Sequence, residues 1–231
     1  MNIFDSVRKQ IVPIHPDGYL FVAIFAIVTL VLFFIYAPLG WIALVLTIWC
    51  AYFFRDPLRV TPLDHDLVIA PADGLIASTG ASVPPPELGL GPEPLPRVSI
   101  FMSIFDGHVN RAPVAGRISK IVYKPGLFIN ADLDKASEDN ERNGLVIDAA
   151  QGRVGVVQIA GLIARRILCF VAVGQTIGAG DRFGLIRFGS RVDVYLPHGT
   201  RLLVEAGARA IAGETVIADF RPGLPRAFKQ S

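Results

Sequence analysis

Two cysteines and four histidines in 231 residues leave little of the chemistry that builds cross-links or metal centres. Cys50 and Cys169 stand alone in the apolar runs LTIWCAYFF and RILCFVAV. They make no disulfide framework, fit a reducing compartment, and read as small buried hydrophobes. No His/Cys cluster has a ligand spacing, so no metal is expected. Charge imbalance is also lacking: 22 Lys and Arg face 20 Asp and Glu, for a net charge of +2. That gives no electrostatic case for nucleic acid as a partner. The chain has no phosphate-binding loop, dinucleotide fingerprint or G-x-S-x-G elbow, which argues against nucleotide folds and ordinary serine hydrolases.

Long apolar runs are present, and they are unevenly placed. Residues 20–36, LFVAIFAIVTLVLFFIY, carry no charge, and after Ala37-Pro38-Leu39-Gly40 a second run, WIALVLTIWCAYFF, reaches Phe54. A membrane span needs about 20 apolar residues, with a lower limit near 17. The first run qualifies and the second is short, so residues 1–56 read as a membrane-anchoring helical hairpin that spans or only enters the bilayer. Arg8 and Lys9 precede it, and Arg55 and Arg59 follow. The positive-inside rule then puts both ends in the cytoplasm. The long apolar region and the second run fit a signal peptide poorly.

After Arg55 the chain turns to short β-branched runs separated by Gly and Pro. Strands are expected at 67–70, 97–104, 118–123, 144–150, 155–161, 165–173, 182–197, 200–206 and 214–220, the pattern of a sandwich or barrel. VGQTIGAGD (173–181) and AGARAIAGE (206–214) share Gly-x-x-x-x-Ala-Gly followed by an acid, a weak internal repeat. Its turns resemble those of lipoyl- and biotinyl-type barrel-sandwich domains, although no lysine occupies the attachment tip. Residues 57–220 are therefore expected to form a mainly β, duplicated barrel-sandwich domain, with a loosely held tail at 221–231. VPPPELGLGPEPLP (83–96) reads as a surface connection, and the charged NADLDKASEDNERNG (130–144) as a solvated or lid-like loop.

RFGSRVDVYLP (187–197) contains an anomaly for a strand. The period-two rule places Ser190 in register with Ile186, Phe188, Val192, Val194 and Leu196, where a hydroxyl needs a partner or a task. Gly189 beside it weakens the strand and admits close approach. His15 precedes the hairpin, and His65 and His198 sit in polar turns. His108 follows a strand, in FDGHVNRAP, and Asp73 lies in VIAPADGLIA between two apolar strands. Ser190, His108 and Asp73 together supply a nucleophile, a base and an orienting group.

Pro71-Ala72-Asp73-Gly74, the stretch from Phe105 to Pro113, Lys135-Ala136-Ser137-Glu138, Asn140-Glu141-Arg142-Asn143 and Arg187-Phe188-Gly189-Ser190 resemble, in that order, the short form of the phosphatidylserine decarboxylase proenzymes. The resemblance covers about residues 55–220. It implies that Ser190 Oγ attacks the Gly189 carbonyl, so that the chain cuts itself into a 1–189 β chain and a 190–231 α chain that stay associated. Ser190 would become a covalent pyruvoyl cofactor that forms a Schiff base with phosphatidylserine and accepts the electrons released with CO2. His108 would serve as base and Asp73 as its orienting group, with Arg111, Asn140 and Arg142 as candidate substrate contacts. Homo-oligomerisation and a place on the cytoplasmic face of the cell membrane are also implied.

The larger bacterial branch has a second histidine where this chain has Arg111, so either His108 serves both self-cleavage and later proton transfer or another group serves one of them. Two alternatives stay open from the residues: a pyruvoyl-dependent decarboxylase of another amine, and a non-catalytic membrane-bound barrel-sandwich module.

Overall fold

The computed structural model describes residues 12–126, 140–161, 166–187, 190–224 and 226–229. They form two compact units that divide between Leu58 and Arg59.

The first unit is a helical pair, α1 (Pro16–Ile35) and α2 (Ala37–Phe53), separated by Tyr36 alone. Proline occupies the first turn of each helix, where no intrahelical N–H bond is lost. His15 caps α1 by accepting the Asp17 N–H at 3.3 Å. Between the helices the hydroxyls of Thr29 and Thr47 meet at 2.9 Å, and each also donates to a carbonyl one turn back, Phe25 O and Ala43 O. Gly18 against Phe54 and Gly40 against Phe33 allow close approach. The outward faces carry exposed Leu20, Ile27, Phe34, Trp41 and Val45. At 20 residues α1 is about 30 Å long, enough to cross a bilayer core; α2 has 17 residues.

The second unit is mainly β. Its strands are β1 (Leu67–Ile69), β2 (Gly74–Ser82), β3 (Leu95–Met102), β4 (Val109–Arg111), β5 (Gly116–Lys124), β6 (Arg142–Ala149), β7 (Gly152–Ala160), β8 (Arg166–Cys169), β9 (Thr176–Ile177), β10 (Arg182–Arg187), β11 (Ser190–Tyr195), β12 (Arg201–Leu202), β13 (Arg209–Ala210) and β14 (Val216–Asp219). Eight of them form a curled sheet in the order β13-β2-β3-β11-β7-β6-β5-β9, and two three-stranded sheets, β1-β14-β12 and β4-β10-β8, complete the fold. One apolar core, including Val68, Ile76, Ile100, Ile147, Phe183, Val192 and Ile217, draws on all three sheets. This is the barrel-sandwich expected.

The fold is duplicated more deeply than the glycine repeat alone indicates. Gly174 N–H donates to Ile118 O at 2.7 Å, and Gly207 N–H donates to Ile76 O at 2.9 Å. β9 and β13 thereby take matching places at the two edges of the large sheet. APADGLI (70–76) and APVAGRI (112–118) are a second repeat, and around it the halves exchange hydrogen bonds. Ile69 N–H donates to Pro113 O, and Arg111 N–H donates to Pro71 O, each at 2.8 Å. Asp66 and His108, Val68 and Asn110, Asp73 and Ala115 are thus structural equivalents.

Several expectations change. The single strand expected at 182–197 is two strands in different sheets, β10 and β11, with residues 188–189 outside the described set. The loop at 83–96 is not only a surface connection. Its 3-10 turn, Pro86–Leu88, drives Leu88 into a second cluster with Leu95, Val146, Val157, Ile159 and Tyr195. That cluster covers the far side of β11, so both faces of the strand are buried. Cys169, expected in the core, is exposed, whereas Cys50 is buried. From Asn140 to Asn143 the charged run is buried and enters β6 rather than staying in solvent; residues 127–139 lie outside the described set. The described tail residues from 221 on are exposed.

Candidate active site

Ser190 is the first residue of β11 and is fully buried. Its register partners are Met102, the last residue of β3, and Ala160, the last of β7. Among the described residues its hydroxyl meets only the Met102 sulfur, at 3.9 Å. A thioether is a weak acceptor, so the hydroxyl is held in place without being committed to a strong partner. Gly189, the other half of the expected cleavage site, lies outside the described residues.

The chain reaches His108 six positions after Met102 through a turn that Asp106 organises. Asp106 Oδ2 accepts the Ser103 N–H at 2.9 Å and the Ser103 hydroxyl at 2.7 Å, while Oδ1 accepts Arg209. His108 is fully buried, and its Nδ1 lies 2.9 Å from the Asp106 carbonyl oxygen. A carbonyl can only accept, so Nδ1 carries a proton, which leaves any base role to Nε2. The His108 carbonyl accepts the Ile186 N–H at 3.3 Å, which ties it to the end of β10, just before the junction that leads to Ser190.

Asp73 reaches this turn from the other side. A Cβ at Gly107 would lie 2.6 Å from Asp73 Oδ2, so the carboxylate packs on the backbone immediately before His108. Gly74, at φ +152° and hard against Phe101 O, leaves no room for a side chain. Arg59 Nη2 donates to both Asp73 oxygens at 2.9 and 2.7 Å, and the Ala212 N–H donates at 2.8 Å. Arg59 was missed at the sequence level; its only signal is a cation after the hairpin, which reads equally well as a membrane-flanking charge.

The three candidate substrate contacts are all buried and all engaged. Arg111 Nη1 donates to Gly180 O at 3.0 Å. Asn140 Nδ2 donates to Ala160 O at 2.8 Å, which places it at the Ser190 end of β7. Arg142 Nε donates to Glu87 Oε1 at 2.5 Å, and it pairs in register with Ile159, a member of the second cluster. Arg142 therefore lies on the sheet face opposite Ser190. Burial alone would raise the Glu87 carboxyl, but the Arg142 hydrogen bond and charge hold it below its ordinary value.

Behind Ser190, on that opposite face, Arg191 donates to Asp193 at 2.6 and 2.9 Å, both residues being buried. Burial and the Asp193 charge push the Tyr195 hydroxyl above its ordinary value, with Arg97 opposing them. These groups fix β11 in its sheet from the first residue after Ser190.

The described residues thus include a buried strand-initial serine, a histidine tied to the end of β10 and an arginine-held carboxylate packed on the turn before that histidine. Residues 46–218 match the family model for phosphatidylserine decarboxylase. The chain is also 63% identical over 226 residues, 98% of this chain and 97% of the other, to the phosphatidylserine decarboxylase proenzyme of Beijerinckia indica. It is an enzyme, a carboxy-lyase. It belongs to the phosphatidylserine decarboxylase family.

Proposed function

We propose that the chain is a membrane-anchored, self-processing decarboxylase that converts phosphatidylserine to phosphatidylethanolamine and CO2. The observation that carries this reading is Ser190: a hydroxyl with no exposure to solvent, first in its strand, facing a thioether. Burying a hydroxyl without a strong partner is unfavourable, and a residue consumed during maturation accounts for it.

Self-cleavage begins with attack of Ser190 Oγ on the Gly189 carbonyl, His108 Nε2 receiving the hydroxyl proton. Asp73 fixes the Gly107 backbone, and Asp106 fixes the imidazole through its carbonyl. The amide becomes an ester, and elimination releases residues 1–189 from residues 190–231, whose first residue becomes the pyruvoyl group. Position 190 fits such a group: β3 and β7 flank it, and the Arg191–Asp193 pair behind it keeps the new chain terminus in the sheet. The pyruvoyl ketone supplies an electron sink for the carboxylate to be lost. Arg111 and Asn140 are proposed to border the headgroup, and Arg142 to support the sheet from the other face.

The helical pair favours a lipid substrate over a soluble amine, since a diacyl chain does not leave the bilayer readily. The hairpin is proposed to hold the β unit on the cytoplasmic side. Release of labelled CO2 from phosphatidylserine in vesicles, compared with serine and phosphoserine in solution, tests the assignment. Turnover restricted to the lipid supports it, and equal turnover of a soluble amine would move the enzyme to another decarboxylase class.

A further inference from the structure

Three buried amides lead through the core toward Ser190. Asn143 Nδ2 donates to Gln158 Oε1 at 2.9 Å, Gln158 Nε2 donates to Asn110 Oδ1 at 2.8 Å, and Asn110 Nδ2 ends the row on the Met102 sulfur at 3.6 Å. Ser190 Oγ meets the same sulfur. Asn110 and Gln158 are fully buried, and Asn143 nearly so. Gly184, paired with Asn110 in register, makes room for the row: a Cβ there would lie 2.7 Å from Gln158 Nε2.

The other half of the fold does without two of these amides. Asn110 is equivalent to Val68 in the other half. Register gives the same answer for Gln158: the equivalent residues Ile118 and Ile76 pair with Ile147 and Ile100, which pair in turn with Val154 and Val192, so four residues further on Gln158 matches Leu196, the residue just after β11. Val68 and Leu196 are fully buried in the apolar core. At matching positions, then, one half packs hydrocarbon and the half beside Ser190 packs hydrogen-bonded amides. The Gln158 and Asn110 amide oxygens are each occupied by the donor behind them, and among the described residues the Asn110 NH2 group meets only a weak acceptor, the Met102 sulfur.

We propose that Asn110 is a catalytic donor to Ser190 Oγ during self-processing, with Gln158 and Asn143 as positioning residues that aim it. The inference rests on the self-cleavage reading above. In the first step the Oγ–C bond to Gly189 forms, the C–N bond breaks, and the nitrogen takes the proton. In the second step a base removes the Ser190 Cα proton and the Cβ–Oγ bond breaks, so Oγ leaves as part of the Gly189 carboxylate. The resulting dehydroalanine takes up water and releases ammonia to give the ketone. Negative charge grows on the departing ester group in this second step, and a fixed, water-excluded donor to Oγ stabilises that charge. Asn110 therefore acts chiefly on elimination.

The test follows processing of the full-length chain in detergent. The variants are Asn110→Val and the double variant Asn110→Val/Gln158→Leu, which copies the packing of the other half and preserves the core. Wild type should yield 190–231 with a pyruvoyl terminus. Both variants should process about 10²-fold more slowly, the loss typical of one such donor. Hydroxylamine should release from the accumulated chain a 190–231 fragment that begins with serine, because the ester has formed and waits. Pyruvoyl formation at the wild-type rate in either variant would overturn the inference. So would accumulation of a folded chain that hydroxylamine does not cut, since the loss would then precede the ester. An uncut wild-type chain would instead remove the self-cleavage reading beneath it.

Discussion

At residue scale the site consists of polar groups buried where an apolar residue would cost less. Ser190→Ala removes the nucleophile and fills its place with a smaller apolar group; the expected result is an intact chain without decarboxylase activity, read by denaturing electrophoresis. Normal fragments from that variant would move the cleavage site elsewhere. His108→Ala is expected to slow processing by about 10² to 10⁴, the usual range for a positioned general base, and unchanged processing would take His108 out of that role. Arg59→Met should also slow processing, because Asp73 would be left buried without its cation and the Gly107 backbone would lose its support. Ser190 was legible in the sequence because alternation along one strand marks a hydroxyl out of place. Arg59 and the Asp106 carbonyl were not. The first joins Asp73 only through tertiary packing, and the second acts through backbone, which has no side-chain signature. The Asn110–Gln158–Asn143 row escaped for a related reason, since β4, β6 and β7 meet only in the folded chain.

At the scale of elements, the proposed cleavage site falls between β10 and β11, two strands in different sheets. Residues 182–197 look continuous because β-branched and aromatic residues run through them, and periodicity cannot report that a strand changes sheet. The 83–96 segment misled in the opposite sense. Its proline and glycine content hides Leu88, which the 3-10 turn places under Tyr195. Leu88→Ala is expected to destabilise the β unit by about 2–5 kcal/mol, measurable by thermal or urea unfolding in detergent. The Glu87–Arg142 bond that closes this segment adds a pH dependence. The folded carboxyl is held below its ordinary value, so its stabilisation is complete above the unfolded pKa of about 4.3 and fades as pH falls through the lower folded value. The stability difference between wild type and Glu87→Gln should therefore be constant from neutral pH to about 5 and shrink at more acid pH. A difference that does not change down to pH 3 would show that the pair contributes nothing.

At the scale of the whole molecule, duplication and asymmetry divide the work. The repeated Ala-Pro turns and edge strands build two similar halves around one core, and the proposed catalytic groups lie where the halves differ: His108 against Asp66, Asn110 against Val68, Asp73 against Ala115. The glycine repeat was visible in the sequence, whereas the Ala-Pro repeat was visible only to an alignment of the chain with itself. The helical pair accounts for the unequal hydropathy. Removing residues 1–56 is expected to leave self-cleavage intact while lowering turnover of bilayer phosphatidylserine at least tenfold relative to a detergent-dispersed short-chain analogue, and equal loss on both substrates would deny the hairpin a delivery role. The most direct test of the account is the intact mass of the purified full-length protein, taken with and without a carbonyl reagent. The account predicts two fragments, 1–189 and 190–231, the second bearing a pyruvoyl group that reacts with the reagent. A single unreactive chain of 25.0 kDa in catalytically active material would contradict it.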